Sequence, residues 1–135
     1  MDAKSLKVAP TATIHVNNAA GEPLYDDGKK VQIKIHGPGS RPFSAVEARQ
    51  SARFLKRMND NDGKMTAPTA DERRQELAED LAEVTIEFEN LTYDDKTGSE
   101  LFQAVYADPE LGYIPAQINK KIKDWGNFLP KSNAI

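Results

Sequence analysis

Hydrophobic and polar positions alternate early in the chain and recur at helical spacing later. In Val31-Gln32-Ile33-Lys34-Ile35 the apolar residues occupy every second position, which predicts a half-buried strand. Thr13-Ile14-His15-Val16 is a second β-branched run, and Leu24-Tyr25 a third short segment. Asp27-Gly28 between them marks a tight turn, because both residue types tolerate positive φ. Residues 13–36 therefore read as two or three antiparallel strands. Gly37-Pro38-Gly39-Ser40-Arg41-Pro42 then breaks the sheet.

Helical spacing takes over from there. Ser44-Ala45-Val46-Glu47 has the form of a capping box, predicting a helix over about 45–58 with Val46, Phe54, Leu55 and Met58 on its apolar side. Asn59 to Lys64 ends it, and a polar linker follows to Pro68. Thr69-Ala70-Asp71-Glu72 is a second capping box. In the helix it opens, Leu77, Leu81, Val84 and Phe88 recur at i, i+4, i+7 and i+11, which predicts one continuous apolar face through residue 89. After a loop at 90–98, Leu101, Phe102, Val105 and Tyr106 predict a short helix that Asp108-Pro109 stops. A final helix near 114–125 places Ile114, Ile118, Ile122 and Trp125 on one face, with Pro115 in its first turn and Gly126 as a left-handed terminator. The fold class expected is α+β: a small N-terminal antiparallel sheet followed by about four helices. Residues 1–12 read as a flexible arm or a short edge segment, 13–130 as one domain (β part 13–36, helical part 44–128), and 131–135 as a frayed end.

Composition narrows the chemistry. The chain has 135 residues, and its Leu, Ile, Val and Phe number 28, about a fifth of the total. That is just above the level of roughly 20% below which chains tend to stay disordered, so the core is thin. The absence of cysteine removes disulfides, thiol catalysis and thiolate metal sites. A net charge of -3 argues against general nucleic-acid binding. No apolar run approaches the ~18 residues of a membrane span, and MDAKSLKVAP has no signal-peptide pattern. The expectation is a soluble intracellular protein with neither nucleic-acid nor membrane partner.

No catalytic constellation stands out. Asp60-Asn61-Asp62-Gly63 resembles part of a calcium loop, but Met58 stands where an oxygen ligand is needed and Thr69 where the closing glutamate belongs. Gly37-Pro38-Gly39-Ser40 lacks the Lys of a phosphate loop, and Pro38 removes a backbone donor. His15 and His36 could face each other across a hairpin, with no carboxylates tied to them. No cofactor or metal is expected. Charge is uneven: helix 45–58 carries Arg49, Arg53, Lys56 and Arg57 against Glu47, and residues 71–89 hold eight carboxylates against two arginines. Lys120, Lys121, Lys123 and Lys131 make the C-terminal end basic. Such patches either steer a partner or a second copy, or face one another within the monomer. Trp125 and Phe128 are either a binding anchor or the closure of the core.

Three segments together resemble the tail assembly chaperones of tailed bacteriophages, over about residues 20–130. The first is GEPLYDDGKKVQIKIHGPGSRPF, a strand, a DDG turn, an alternating strand and a Gly-Pro break before a helix. The second is Ala82-x-x-Thr85-x-x-Phe88-x-x-Leu91 followed by Asp94-Asp95, where Phe88 replaces a common Trp. The third is Leu101, Tyr106-Ala107-Asp108-Pro109, Tyr113-Ile114-Pro115-Ala116-Gln117-Ile118 and Asn127-Phe128-Leu129. The resemblance implies a non-catalytic factor in the bacterial host cytoplasm that binds tape-measure and tail-tube proteins and is absent from mature virions. It would act through apolar helix faces: Leu77, Leu81, Val84 and Phe88 on one helix, Ile114, Ile118 and Ile122 on the other, with Trp125 and Phe128. The alternative is a structural virion component of the tail or neck, which strand edges would suit. An enzyme built on the histidines or carboxylates and a host-directed inhibitor are further readings.

Overall fold

The computed structural model describes residues 1–64 and 67–130. Part of the linker before Pro68 and the whole expected frayed end, 131–135, lie outside the described residues. Among the described residues the architecture is α+β: a three-stranded antiparallel sheet, a separate two-stranded ribbon and four α-helices.

Strand β1 (Thr11–His15) pairs antiparallel with β4 (Gln32–His36) in the register Ile14 to Ile33 and Ala12 to Ile35. Between them, β2 (Tyr25–Asp26) and β3 (Lys29–Lys30) form a ribbon. Its turn holds Asp27 at φ 50° and Gly28 at φ 77°, as a two-residue hairpin requires. Alternation does what the sequence implies. Val31, Ile33 and Ile35 are buried, while Gln32, Lys34 and His36 line the opposite, partly open face. The first twelve residues are not simply an arm. A 3-10 turn spans Ala3–Leu6, β1 begins at Thr11, and the Ala9 N–H donates to the Phe128 carbonyl at 2.7 Å.

Helix α1 (Arg41–Asp60) starts earlier than the Ser44–Glu47 pattern suggests. Ser40 is the cap: its Oγ accepts the Phe43 N–H at 3.3 Å and donates to the Gly37 carbonyl at 2.6 Å. Pro42 in the first turn has no N–H to satisfy and a pre-set φ, so the start at Ser40 leaves fewer orphan donors. Helix α2 (Ala70–Val84) opens on the expected box, with the Glu72 N–H on Thr69 Oγ1 and the Thr69 N–H on Glu72 Oε1.

The larger correction follows. α2 does not continue to residue 89; it passes without a loop into strand β5 (Thr85–Glu89). Thr85-Ile86-Glu87-Phe88-Glu89 fits a strand period as well as a helix period, and β-branched residues favour the strand. β5 is the third strand of the sheet, pairing Phe88 with Ile33 and Lys34 with Glu87, with a bulge where Thr85 meets Ile35. Phe88 therefore belongs to the sheet and packs against Phe102 and Tyr106, with ring centroids 4.7 and 5.7 Å away. A buried hydrogen-bond chain fastens the junction. Thr85 Oγ1 donates to the Leu81 carbonyl at 2.7 Å, so the Tyr106 hydroxyl, 2.8 Å away, is the donor to Thr85.

Helix α3 (Gly98–Ala107) packs chiefly on α2 and ends at Asp108-Pro109. Helix α4 (Tyr113–Ile122) is shorter than expected. The chain leaves it through Lys123 and enters a separate 3-10 turn, Trp125–Phe128. Gly126 lies inside that turn and is not a left-handed terminator. The close approach in this region is at another glycine: the Phe128 ring covers Gly37, where an added Cβ would lie 2.9 Å from Phe128 Cδ1. Gln117 on α4 acts as a surrogate strand. Its Oε1 accepts the Asn17 N–H and its Nε2 donates to the Asn17 carbonyl, both at 2.8 Å, and Nε2 also reaches the Tyr113 carbonyl.

Candidate protein-docking groove

The apolar stripes expected to be offered to a partner are mostly the core. Leu81, Val84, Ile114, Ile118, Ile122 and Phe128 are buried, and Leu77 and Phe88 are half-buried. The reason is geometric. α2 and α4 each have one apolar face, and both faces enter the same hydrophobic core as Ile14, Ile33 and Ile35 of the sheet. Trp125 alone among those residues stands exposed, because the helix ends before it and the turn swings its ring outward. It is thus neither on the α4 face nor a closure of the core. Phe128, three residues on, takes the core position.

Of the large apolar residues left exposed, Phe54 and Leu55 are on α1, while Met1, Leu6, Tyr25, Trp125 and Leu129 lie on other segments. Helix α1 has 20 residues, of which only Val46 is buried. At 100° per residue, Val46, Gln50, Arg53 and Arg57 fall on one side, and this is the side turned to α2. It is attached by charge. Arg53 Nη1 lies 2.9 Å from both oxygens of Asp80, and its Nη2 lies 3.0 Å from Glu79 Oε2. Gln50 Nε2 donates to Asp80 Oδ2 at 3.2 Å. Arg57 pairs with Glu76 and, at 3.9 Å, with Glu72. Arg49 Nε is 3.3 Å from Asp80 Oδ1, near enough for charge attraction but not aligned for a hydrogen bond. The opposite charges of the two helices, visible in the sequence, face one another within the monomer. Asp80, with a side chain only 7% exposed, is the hub.

Because the arginines fill the centre of the α1–α2 seam, the apolar residues of α1 are displaced to its flank. Phe43 and Phe54 lie there, Phe54 46% exposed. Between this flank, α2 and the end of α4 lies a recess of about 160 Å³ lined by Phe43, Val46, Leu77, Leu81 and Ile122, with Asn119 and Lys123 at one end. It continues along α1 into a shallower trough that Phe54, Leu77 and Arg73 border. From Phe43 to Phe54 the wall is about 16 Å long at 1.5 Å per residue. Lys120, Lys121 and Lys123 border a second hollow at the near end, together with Asp124 and Asn127. Among the described residues, none of these lysines, nor Arg73, nor Glu47 on the wall, takes part in an ion pair.

The other sequence candidates are separated. His15 pairs with Gln32 and His36 with Thr11, so the histidines sit at opposite ends of the β1–β4 pair and do not face each other. His15 Nε2 donates to the Leu24 carbonyl at 2.8 Å and its ring meets Tyr25 edge-on. Asp62 and Gly63 form the left-handed end of α1, where the Gly63 N–H reaches the Met58 carbonyl, and Asp60 pairs with Lys56. No cluster of three or more metal-ligating side chains occurs among the described residues. No helix among them is long and apolar enough to cross a membrane.

The groove was only partly visible in the sequence. Phe54 was placed on the apolar side of its helix, but the inward side proved to be arginine. The signal was present in Arg49, Arg53 and Arg57 at spacings of four, matched by Glu72, Glu76 and Asp80 on the next helix. No family model, curated protein or solved structure matches this chain.

Proposed function

We propose that this chain is a non-catalytic tail assembly chaperone of a tailed bacteriophage, binding tape-measure and tail-tube proteins in the host cytoplasm. The family rests on the three-segment resemblance. One structural observation supports a protein-binding role: an exposed phenylalanine, Phe54, borders an apolar groove on the helix least buried in the core. Exposed aromatics beside a helix-lined recess suit capture of an amphipathic segment. The docking surface in this reading is the α1 flank together with Trp125, in place of the α2 and α4 stripes.

The test is co-expression with the tape-measure protein of the phage that encodes it. The tape-measure protein should stay soluble and co-purify, and mass spectrometry of purified particles should not detect this chain. The alternative, a structural virion component, draws on β5, an edge strand paired only with β4. Recovery of this chain in stoichiometric amounts from particles would establish that alternative and remove the chaperone reading.

A further inference from the structure

We infer that the groove between α1, α2 and the end of α4 takes one amphipathic helix with carboxylates near both its ends and none at its middle. The inference rests on the reading of the chain as a protein-binding factor and adds the site and the chemistry of the segment bound.

Three observations converge on it. Apolar surface runs from Phe43 and Ile122 through Leu77 to Phe54, flanked along the α1–α2 seam by Gln50, Arg53 and Asp80. Its length, about 16 Å, matches three turns of helix, or about eleven residues. Its charges are arranged by position. Lys123 stands at the α4 end with Lys120 and Lys121 beside it, three cations against the single carboxylate of Asp124, and Arg73 stands at the other end; none of these cations has an ion-pair partner among the described residues. The arginines facing α2 are already neutralised by Glu72, Glu76, Glu79 and Asp80, so they add little to the field in the groove. Glu47 projects from the middle of the wall, where it repels a carboxylate. A basic helix would meet like charge at both ends, and like-charge juxtaposition is what sets specificity at such surfaces. A second copy of α2 is a poor fit, since its carboxylates run along its whole length and its apolar face is already in the core.

The experiment uses the full chain and two fluorescein-labelled, hydrocarbon-stapled helical peptides. They share one leucine stripe and differ only in carrying glutamates or lysines at both ends. Fluorescence anisotropy should show the glutamate-ended peptide binding about tenfold or more tighter than the lysine-ended one, with the difference shrinking above ~0.1 M salt. Phe54→Asp should weaken the glutamate-ended peptide by about tenfold or more. Lys120→Glu/Lys121→Glu/Lys123→Glu should bring the two peptides to comparable affinity. Tyr25→Ala, exposed on the β2–β3 ribbon and away from the groove, should leave both unchanged. Circular dichroism confirms that these surface variants remain folded. Equal affinity of the two peptides, no binding of either, or binding indifferent to Phe54→Asp overturns the inference. Co-purification with the tape-measure protein is independent of these peptides, so the failure of one is distinguishable from the failure of the other.

Discussion

Helices α4 and α1 differ in what attaches them to the rest of the molecule. α4 has 10 residues and buries Ile114, Pro115, Ile118 and Ile122, three of them isoleucines of the shared core. α1 is twice as long, buries only Val46, and is tied to α2 through Arg49, Arg53 and Arg57. Apolar burial is non-directional and tolerates small shifts. Ion pairs depend on geometry, and their net contribution is small where water reaches them. α1 should therefore open before the body does, and elements that bind partners are commonly drawn from that less stable end of a structure. A helix held by arginines can leave Phe54 exposed while Phe43, at its first turn, packs partly against the core.

The largest effects separate the two attachments. Ile118→Ala should lower global stability by about 2–5 kcal/mol, read as a shifted urea midpoint, because it empties a fully buried position. Asp80→Ala strips the hub from Arg53 and Gln50 and leaves Arg53, with a side chain 19% exposed, with Glu79 and Glu76 alone as partners. It should cost about 3 kcal/mol, the lower end for breaking a buried pair, because part of the cluster is wet. The loss should fall on α1. Amide exchange in α1 should accelerate while α4 stays protected. If both helices lose protection together after Asp80→Ala, the two attachments are one cooperative unit and the contrast fails.

Next in size is the polar fastening of α4. Gln117→Ala removes the partner of both backbone groups of Asn17 and should cost about 1–3 kcal/mol, more than a surface Gln normally would. Gln117→Glu keeps the acceptor for the Asn17 N–H but loses the donor to its carbonyl, so it should recover only part of the loss. Thermal unfolding of the three proteins measures this.

The junction of α2 and β5 gives a smaller effect with a pH signature. Thr85→Val leaves the buried Tyr106 hydroxyl without its acceptor and should cost about 1–3 kcal/mol, whereas Tyr106→Phe removes donor and need together and should cost about 1 kcal/mol. Burial, only partly offset by the Thr85 hydrogen bond, pushes the Tyr106 phenol well above its ordinary value. The unfolded chain loses that proton near pH 10 while the folded one keeps it, so stability is full below about pH 10 and falls above it. Tyr93, raised by its hydrogen bond to Asp108 and that carboxylate's charge, adds to the same trend. Tyr106→Phe should flatten the alkaline decline measured by urea titration at stepped pH. An unchanged slope would mean that Tyr106 ionises freely in the folded protein.

Local rules made much of this fold readable. The alternation in 31–35, the Asp27-Gly28 turn and the Thr69–Glu72 box each report a short-range preference that the tertiary structure keeps. The failures occur where two local rules compete and a distant element decides. Val84 to Phe88 satisfies both periods, and the open edge of β4, some fifty residues earlier in the chain, selects the strand. Trp125 continues the α4 spacing, but the chain turns at Lys123 and gives the core position to Phe128. The groove was hidden for the same reason. Which side of α1 faces inward depends on carboxylates in another helix, and an apolar-periodicity rule assigns that side to Phe54 when arginine occupies it.

The start of α1 condenses the conflict into two serines four residues apart, and the smallest of the effects tests it. Ser44-Ala45-Val46-Glu47 has the residues of a capping box, yet Ser44 already lies in the helix, its N–H on the Ser40 carbonyl at 3.2 Å. Ser40 holds the Phe43 N–H and the Gly37 carbonyl at once, so it ends the sheet connection and begins the helix with one side chain. Ser40→Ala should cost about 1 kcal/mol and Ser44→Ala only a few tenths, about what a helical surface position gives. The loss at Ser40 should appear first as fraying of Arg41 to Phe43, beside the wall of the groove, since α1 has little apolar burial to hold its first turn. Equal losses at the two serines, or a larger one at Ser44, would put the helix start at the residue that sequence pattern alone selects, and would leave Phe43 outside the groove.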